Sequence, residues 1–182
     1  MKRSMIRAGV LVTLAACGSS TGPNTQTLQN DAYTSGTLTF AAGFAAGEAA
    51  AARFGPLTTS LTIKKVRFLF GGAAPVDSVN LIISDDAGTD NPGAVLYAHV
   101  YTLTPSDAAF QEIDVSAQNI TIAANAMFRI ALFFKDTGVP SVAPDLNGIT
   151  TARNFIYSAG WSKAETLGVT GDWIIRAVVE TP

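Results

Sequence analysis

The feature that most limits what this chain can fold into is a succession of short apolar or alternating runs, each followed by turn-forming residues. Leu61-Thr62-Ile63-Lys64-Lys65-Val66-Arg67-Phe68-Leu69-Phe70 is stopped by Gly71-Gly72 and Pro75, and Val79-Asn80-Leu81-Ile82-Ile83-Ser84 by the polar stretch 85–93. Period-two alternation bounded by Gly, Pro, Asn and Asp is the pattern of strands. Leu61, Ile63, Val66, Phe68 and Phe70 share one inward face only if the frame shifts at Lys64-Lys65, which a bulge would do. The run 94–103 returns as a strand, 110–115 alternates, and 120–122 is short. Met127-Phe128-Arg129-Ile130-Ala131-Leu132-Phe133-Phe134 is nearly all apolar, so it reads as a central strand covered on both faces. Thr37-Leu38-Thr39-Phe40 alternates as well. Ala49 to Ala52 favours helix by intrinsic propensity, but Gly43 and Gly47 oppose one, and 45–54 is read as a strand. The last strands are Asn154 to Tyr157 and Trp173 to Val179. Nine or ten strands with no helical pattern between them predict an all-β chain, a β-sandwich whose strand count suits a jelly roll.

The amino end is different. Lys2, Arg3 and Arg7 precede an apolar run from Ala8 to Ala16, and then comes Leu14-Ala15-Ala16-Cys17-Gly18. A positive end and a short apolar run make an export signal, and about nine apolar residues are too few to span a bilayer of ~30 Å. The stretch resembles the lipobox of bacterial lipoprotein signal peptides, with Cys17 as the acceptor. The resemblance implies cleavage before Cys17, a diacylglycerol thioether and an N-acyl group on it, and envelope localisation, with Gly18 pointing to the outer membrane. The organisation expected is a signal peptide over 1–16, a flexible tether over 17–32, and a β-sandwich domain over 33–182. The tether reading rests on polar GSSTGPNTQTLQN, which lacks an apolar period.

Composition narrows the partners. Removing 1–16 leaves 9 basic and 14 acidic residues, a net charge of −5. Nucleic acid needs clustered Lys and Arg to neutralise phosphate, so it is not an expected partner. Cys17 is the only cysteine, and packing alone must hold the exported domain.

From about Gly43 to Glu180 the chain resembles a loose set of bacterial secreted β-sandwich domains. The residues that carry the likeness are Thr62 to Phe68, Leu81 to Asp86 with Pro92-Gly93 and Leu96-Tyr97, and Gly171-Asp172-Trp173-Ile174-Ile175-Arg176-Ala177. It implies a fold and an exported setting, and no catalytic residue.

Candidate sites are few. Asp85, Asp86, Asp90 and Asn91 offer oxygens that suit Ca²⁺. Their spacing does not match an EF-hand, and the same residues are ordinary turn formers, which is the favoured reading. Tyr157, Trp161 and Trp173 can form a sugar-stacking platform, with Tyr97 and Tyr101 as possible additions. Trp173 is read first as a core anchor, whereas Trp161 lies in a Gly-bounded loop and is the better exposed candidate. Asp136, Asp145 and Asn147 form a third set in the long loop 135–152, read first as a solvated loop. His99 is the one histidine and cannot by itself make a zinc site with nitrogen ligands. No spare cysteine is left for nucleophilic chemistry. No metal or organic cofactor is expected beyond a Ca²⁺ option at the acidic turn. The leading expectation is a non-enzymatic, lipid-anchored envelope protein that binds a glycan or a partner protein. The alternatives are a carbohydrate-active enzyme on a jelly-roll scaffold and a purely structural envelope lipoprotein.

Overall fold

The computed structural model describes residues 22–182, so the signal stretch and Cys17 lie outside the described residues. In chain order the strands are β1 (Asn24–Leu28), β2 (Ala49–Phe54), β3 (Leu61–Phe68), β4 (Phe70–Gly71), β5 (Asp77–Asp86), β6 (Val95–Leu103), β7 (Gln111–Asp114), β8 (Ile120–Ile122), β9 (Met127–Phe134), β10 (Ser141–Val142), β11 (Pro144–Asp145), β12 (Asn154–Tyr157), β13 (Trp161–Lys163), β14 (Asp172–Trp173) and β15 (Ile175–Thr181). Two short 3-10 turns interrupt them, and there is no α-helix among the described residues.

Two sheets make the body. One runs β1-β15-β3-β7 with β8 also paired to β3, and the other runs β13-β12-β2-β9-β5-β6. Without the appended β12 and β13, four strands face four in the orders β1-β15-β3-β7 and β2-β9-β5-β6. Within these eight strands the chain crosses from one sheet to the other at every step except the β5-β6 hairpin, and every ladder is antiparallel. This is the double Greek key of a jelly roll, with fifteen strands among the described residues where nine or ten were expected, because short strands of two to four residues add to the eight of the roll.

Alternation dictates which side chains fill the space between the sheets. β3 contributes Leu61, Ile63, Val66 and Phe68, β5 Val79, Leu81 and Ile83, β9 Phe128, Ile130, Leu132 and Phe134, and β15 Ile175, Ala177 and Val179. The frame shift in β3 is real: Val178 pairs with Lys65 and Val179 with Ile63, so Lys64 is the extra residue of a bulge. β2 is buried along its whole length. Ala50, Ala52 and Phe54 face the core, while Ala49, Ala51 and Arg53 face outward beneath other side chains. Here burial between two neighbouring strands overrides the helical propensity of an Ala run.

Several expectations need correction. The flexible tether over 17–32 does not hold as drawn, because Asn24–Leu28 is the first strand of the roll, paired along β15. Thr37 to Phe40 is not a strand. Leu38 and Phe40 instead pack with Tyr33 and Phe110 over Leu69, Ala143 and Ile174, as a cover on the five-stranded sheet. That cover is tied down where Ala41 N donates to Val142 O at 3.0 Å and Ser141 Oγ to Ala41 O at 2.6 Å. The long loop 135–152 contains β10 and β11, paired with β4 and β14. The stretch between Gly160 and Gly171 holds β13 and a 3-10 turn.

Candidate functional site

The antiparallel register sets out the outer face of the six-stranded sheet row by row. One row reads Trp161, Tyr157, Ala49, Phe133, Asn80 and Val100, and the next reads Lys163, Phe155, Ala51, Ala131, Ile82 and Ala98. Arg53, Arg129 and Ser84 follow. Ala49, Ala51 and Ala131 stand in the middle of these rows, and Phe155, Ile82, Phe133 and Trp161 pack around Ala51 and Ala131.

At one end of this face lies an aromatic trio. Phe133 and Tyr157 have ring centroids 5.4 Å apart, Phe133 and Trp161 5.9 Å, and Tyr157 and Trp161 5.3 Å, with interplanar angles of 54°, 87° and 58°. All three rings are half-buried. They offer edges and parts of faces to solvent, beside the half-buried Asn80 and Lys163 and the exposed Ser158.

At the other end is a closed charge cluster. Asp86 Oδ2 lies 2.6 Å from Arg129 Nη2 and 3.0 Å from Arg53 Nε, and it accepts from Arg129 Nε at 2.8 Å. Both guanidinium groups stack on Phe155, with Cζ 3.7 Å (Arg129) and 4.5 Å (Arg53) from its centroid, and Arg129 also lies 5.3 Å from the Trp161 ring. The turn 87–94 is drawn over them, since Arg129 donates to Asp90 O at 2.7 Å and to Thr89 O at 3.1 Å, and Arg53 also donates to Thr89 O. Burial lowers the Arg129 pKa from its ordinary value, and the nearby Arg53 adds to this while Asp86 opposes it. The turn closes where Gly93 N donates to Asp85 O at 2.9 Å, and a Cβ at Gly93 would sit 1.8 Å from Asp85 Oδ1. This cluster is a clamp that fixes the turn and one flank of Trp161.

The expected sites sort accordingly. Tyr157 and Trp161 do come together, with Phe133 as the third member that sequence reasoning missed. Trp173 does not join them. It is 2 % exposed, its Nε1 donates to Phe155 O at 3.2 Å, and its ring lies 5.8 Å from Phe44 in the core, so its platform role is corrected to a core anchor. Trp173 and Phe44 also back a small cleft of about 200 Å³ with Ile156, Val169 and Glu48, below the ~300 Å³ at which ligand pockets begin. Tyr97 and Tyr101 lie apart, at the sheet's far edge. Their hydroxyls are 2.7 Å from each other, and burial together with the Tyr97 hydroxyl pushes the Tyr101 pKa up to about 12.

The Ca²⁺ reading at Asp85, Asp86, Asp90 and Asn91 does not fit. The Asp86 carboxylate is committed to two arginines, Asp90 Oδ1 lies 3.7 Å from Lys163 Nζ, and Asn91 offers its carbonyl to Thr89 Oγ1 at 2.8 Å. The Asp86 and Asp90 carboxylates are drawn to different partners. No group of three or more His, Cys, Asp or Glu gathers around a cation position among the described residues. The set Asp136, Asp145 and Asn147 is also dispersed. Asp145 accepts from Ala32 N at 2.8 Å and from Asn147 N at 3.3 Å, whereas Asp136 lies beside Asp77. His99 stands on β6 between Tyr97 and Tyr101.

Arg53 and Arg129 were not singled out from the sequence. The available signal was Arg129 itself, a cation inside an otherwise apolar run, which a buried strand tolerates only with a counter-charge.

No family model matches the sequence, and no curated protein matches it. Among solved structures, the chain is similar to the cysteine protease and lectin-like domains of Cwp84, a surface layer associated protein of Clostridium difficile. The TM-score is 0.55 at 11 % identity, over 75 % of this chain and 33 % of that one. The chain therefore spans about a third of that protein's solved length. A likeness at this identity is one of fold and transfers no residue roles.

Proposed function

We propose that this chain is a non-enzymatic glycan-binding module held at a bacterial cell envelope by lipid on Cys17, and that Phe133, Tyr157 and Trp161 make its sugar contacts. The observation that carries the reading is the half-buried trio on the open end of the outer sheet face. The apolar face of a pyranose stacks on aromatic rings, and the polar neighbours Asn80, Ser158 and Lys163 supply donors and acceptors for hydroxyls. Shape also favours the reading, since the fold resembles one that includes lectin-like domains of a surface layer associated protein. Three of the buried acids are already engaged: Asp86 by two arginines, Asp31 by Arg176, and Asp172 by Thr150 and Asn154.

A glycan array followed by calorimetry on the best ligand tests the site. Trp161→Ala is expected to weaken binding tenfold or more, as loss of about 1.4 kcal/mol or above would, with a melting temperature near wild type. An array without any hit, or equal affinity for the variant, overturns the reading. Anchoring is tested separately: Cys17→Ser should move the protein out of the detergent phase, and unchanged partition removes the lipid.

A further inference from the structure

The far border of the same sheet is built unlike the others. β6 ends the six-stranded order, and its second edge is unpaired among the described residues. Sheet edges are normally guarded by shortness, by charge or by proline. The remaining borders follow that rule: β13 has three residues and Lys163, β7 has four with Glu112 and Asp114, and β1 has five that are mostly polar. β6 runs for nine residues, VLYAHVYTL, without Asp, Glu, Lys, Arg or Pro. Val95, Leu96 and Val100 are 61, 41 and 58 % exposed, three of the six large apolar side chains left most open on the described surface.

Outward from His99 every pair of mirror positions on the strand is uncharged, and one pair is identical. Ala98 answers Val100, Tyr97 answers Tyr101, Leu96 answers Thr102 and Val95 answers Leu103. An isologous contact sets each residue against its mirror position, so a suitable surface must be complementary to itself. A charge near such an axis meets its own kind, and like charges directly opposite are destabilising. β6 carries no carboxylate, ammonium or guanidinium to repel a second copy. The one bulge lies at Leu96, towards the end of the strand, and Tyr97 to Leu103 stay in regular register with β5.

We propose that two copies of this chain pair antiparallel through β6 about a two-fold axis at His99, joining their six-stranded sheets into one continuous sheet. Tyr97 then stands opposite Tyr101 of the partner subunit, and the two strands satisfy each other's free backbone groups. The axis stands normal to the sheet, so both outer faces point the same way and the two aromatic trios share one surface. Two-point attachment to a polymeric glycan is a consequence that rests on the function proposed above, but the pairing does not.

Disulfide trapping on the full chain, in intact cells and after detergent extraction, tests register as well as contact. Opposed Cα atoms in an antiparallel pair are about 4.5–5.5 Å apart, within the about 4.4–6.8 Å that a disulfide spans. His99→Cys should therefore form a chain-to-chain disulfide under mild oxidant. Thr102→Cys should not, because its own mirror position lies about 20 Å away along the strands. Wild type, whose one cysteine is Cys17, reports any linking through the amino end. No linking of His99→Cys above wild type, or equal linking at Thr102, overturns the proposal. Val100→Lys, at an exposed position, supplies the second reading: sedimentation should fall from dimer to monomer while the melting temperature holds. A wild-type protein that sediments as a monomer throughout overturns the pairing without touching the glycan reading.

Discussion

Both outer faces of the sandwich stack two guanidinium groups on a single Phe, answered by one Asp on the six-stranded sheet and by Asp31 and Glu112 separately on the other. On the six-stranded sheet these are Arg53, Arg129, Phe155 and Asp86. On the five-stranded sheet Arg67 and Arg176 lie 5.1 and 4.7 Å from Phe110, and Arg176 pairs with Asp31 while donating to Tyr33 O. Each clamp holds a length of chain against a sheet, the turn 87–94 in one case and the cover 31–40 in the other. The two differ in depth and in reach. Arg129 and Asp86 side chains are fully buried, while Arg176 is 11 % and Arg67 36 % exposed. The shallower clamp anchors a cover that brings its own apolar residues, Tyr33, Leu38 and Phe40. The deeper one seals only its own end and leaves Phe133, Tyr157 and Trp161 half open. A sheet face thus becomes a binding candidate where the covering chain is too short to cross it.

The deeper clamp should break at the greater cost. Asp86→Ala leaves two buried guanidinium groups without an anion, and removing one partner of a buried pair costs about 3–5 kcal/mol. Urea unfolding should show that loss, together with exposure of the turn 87–94 to protease. A loss below about 1 kcal/mol would place the turn's closure in the backbone ladder instead.

The shallower clamp should yield less. Asp31→Ala removes the charge-assisted pairing with Arg176, worth about 1.5–3 kcal/mol, and water can reach the exposed fraction of that guanidinium. The expected result is a smaller shift in urea midpoint with early cleavage within 31–40. Equal losses for the two variants would remove burial as the distinction between them.

Much of this fold was legible because a jelly roll writes its core in period two. The bounds of β8, β9 and β12 and the bulge at Lys64 follow from residue pattern alone. β1 did not, because NTQTL pairs at a sheet edge where exposure removes the apolar signal. Thr37 to Phe40 misled in the opposite way, since a cover segment alternates apolar and polar residues without pairing. The candidate site was half legible. Trp161 and Tyr157 stood out as aromatics near a turn, but Phe133 was hidden inside a run expected to be wholly covered. The Arg129–Asp86 pair joins positions 43 residues apart, and only strand register brings them together.

A third buried acid sharpens the contrast because it has no guanidinium. Asp77 is 7 % exposed and accepts from Ser78 N at 2.6 Å. Burial is the largest cause that raises its carboxyl above the usual 3.8, and its bond with Asp136 and that group's charge add to the rise, while Ser78 N and the charge of Lys135 oppose it. The folded state therefore binds this proton more tightly than the unfolded chain does. The stabilisation from that proton is complete below the usual carboxylate value and is lost as pH climbs through the raised one. Asp77→Asn keeps the acceptor for Ser78 N and carries no charge. Its melting temperature should exceed wild type at neutral pH, and the gap should close on acidification through the carboxylate range. A variant less stable than wild type at neutral pH would mean that the charged form of Asp77 is held by a partner, as Asp86 is, and the distinction between clamped and unclamped acids would fall.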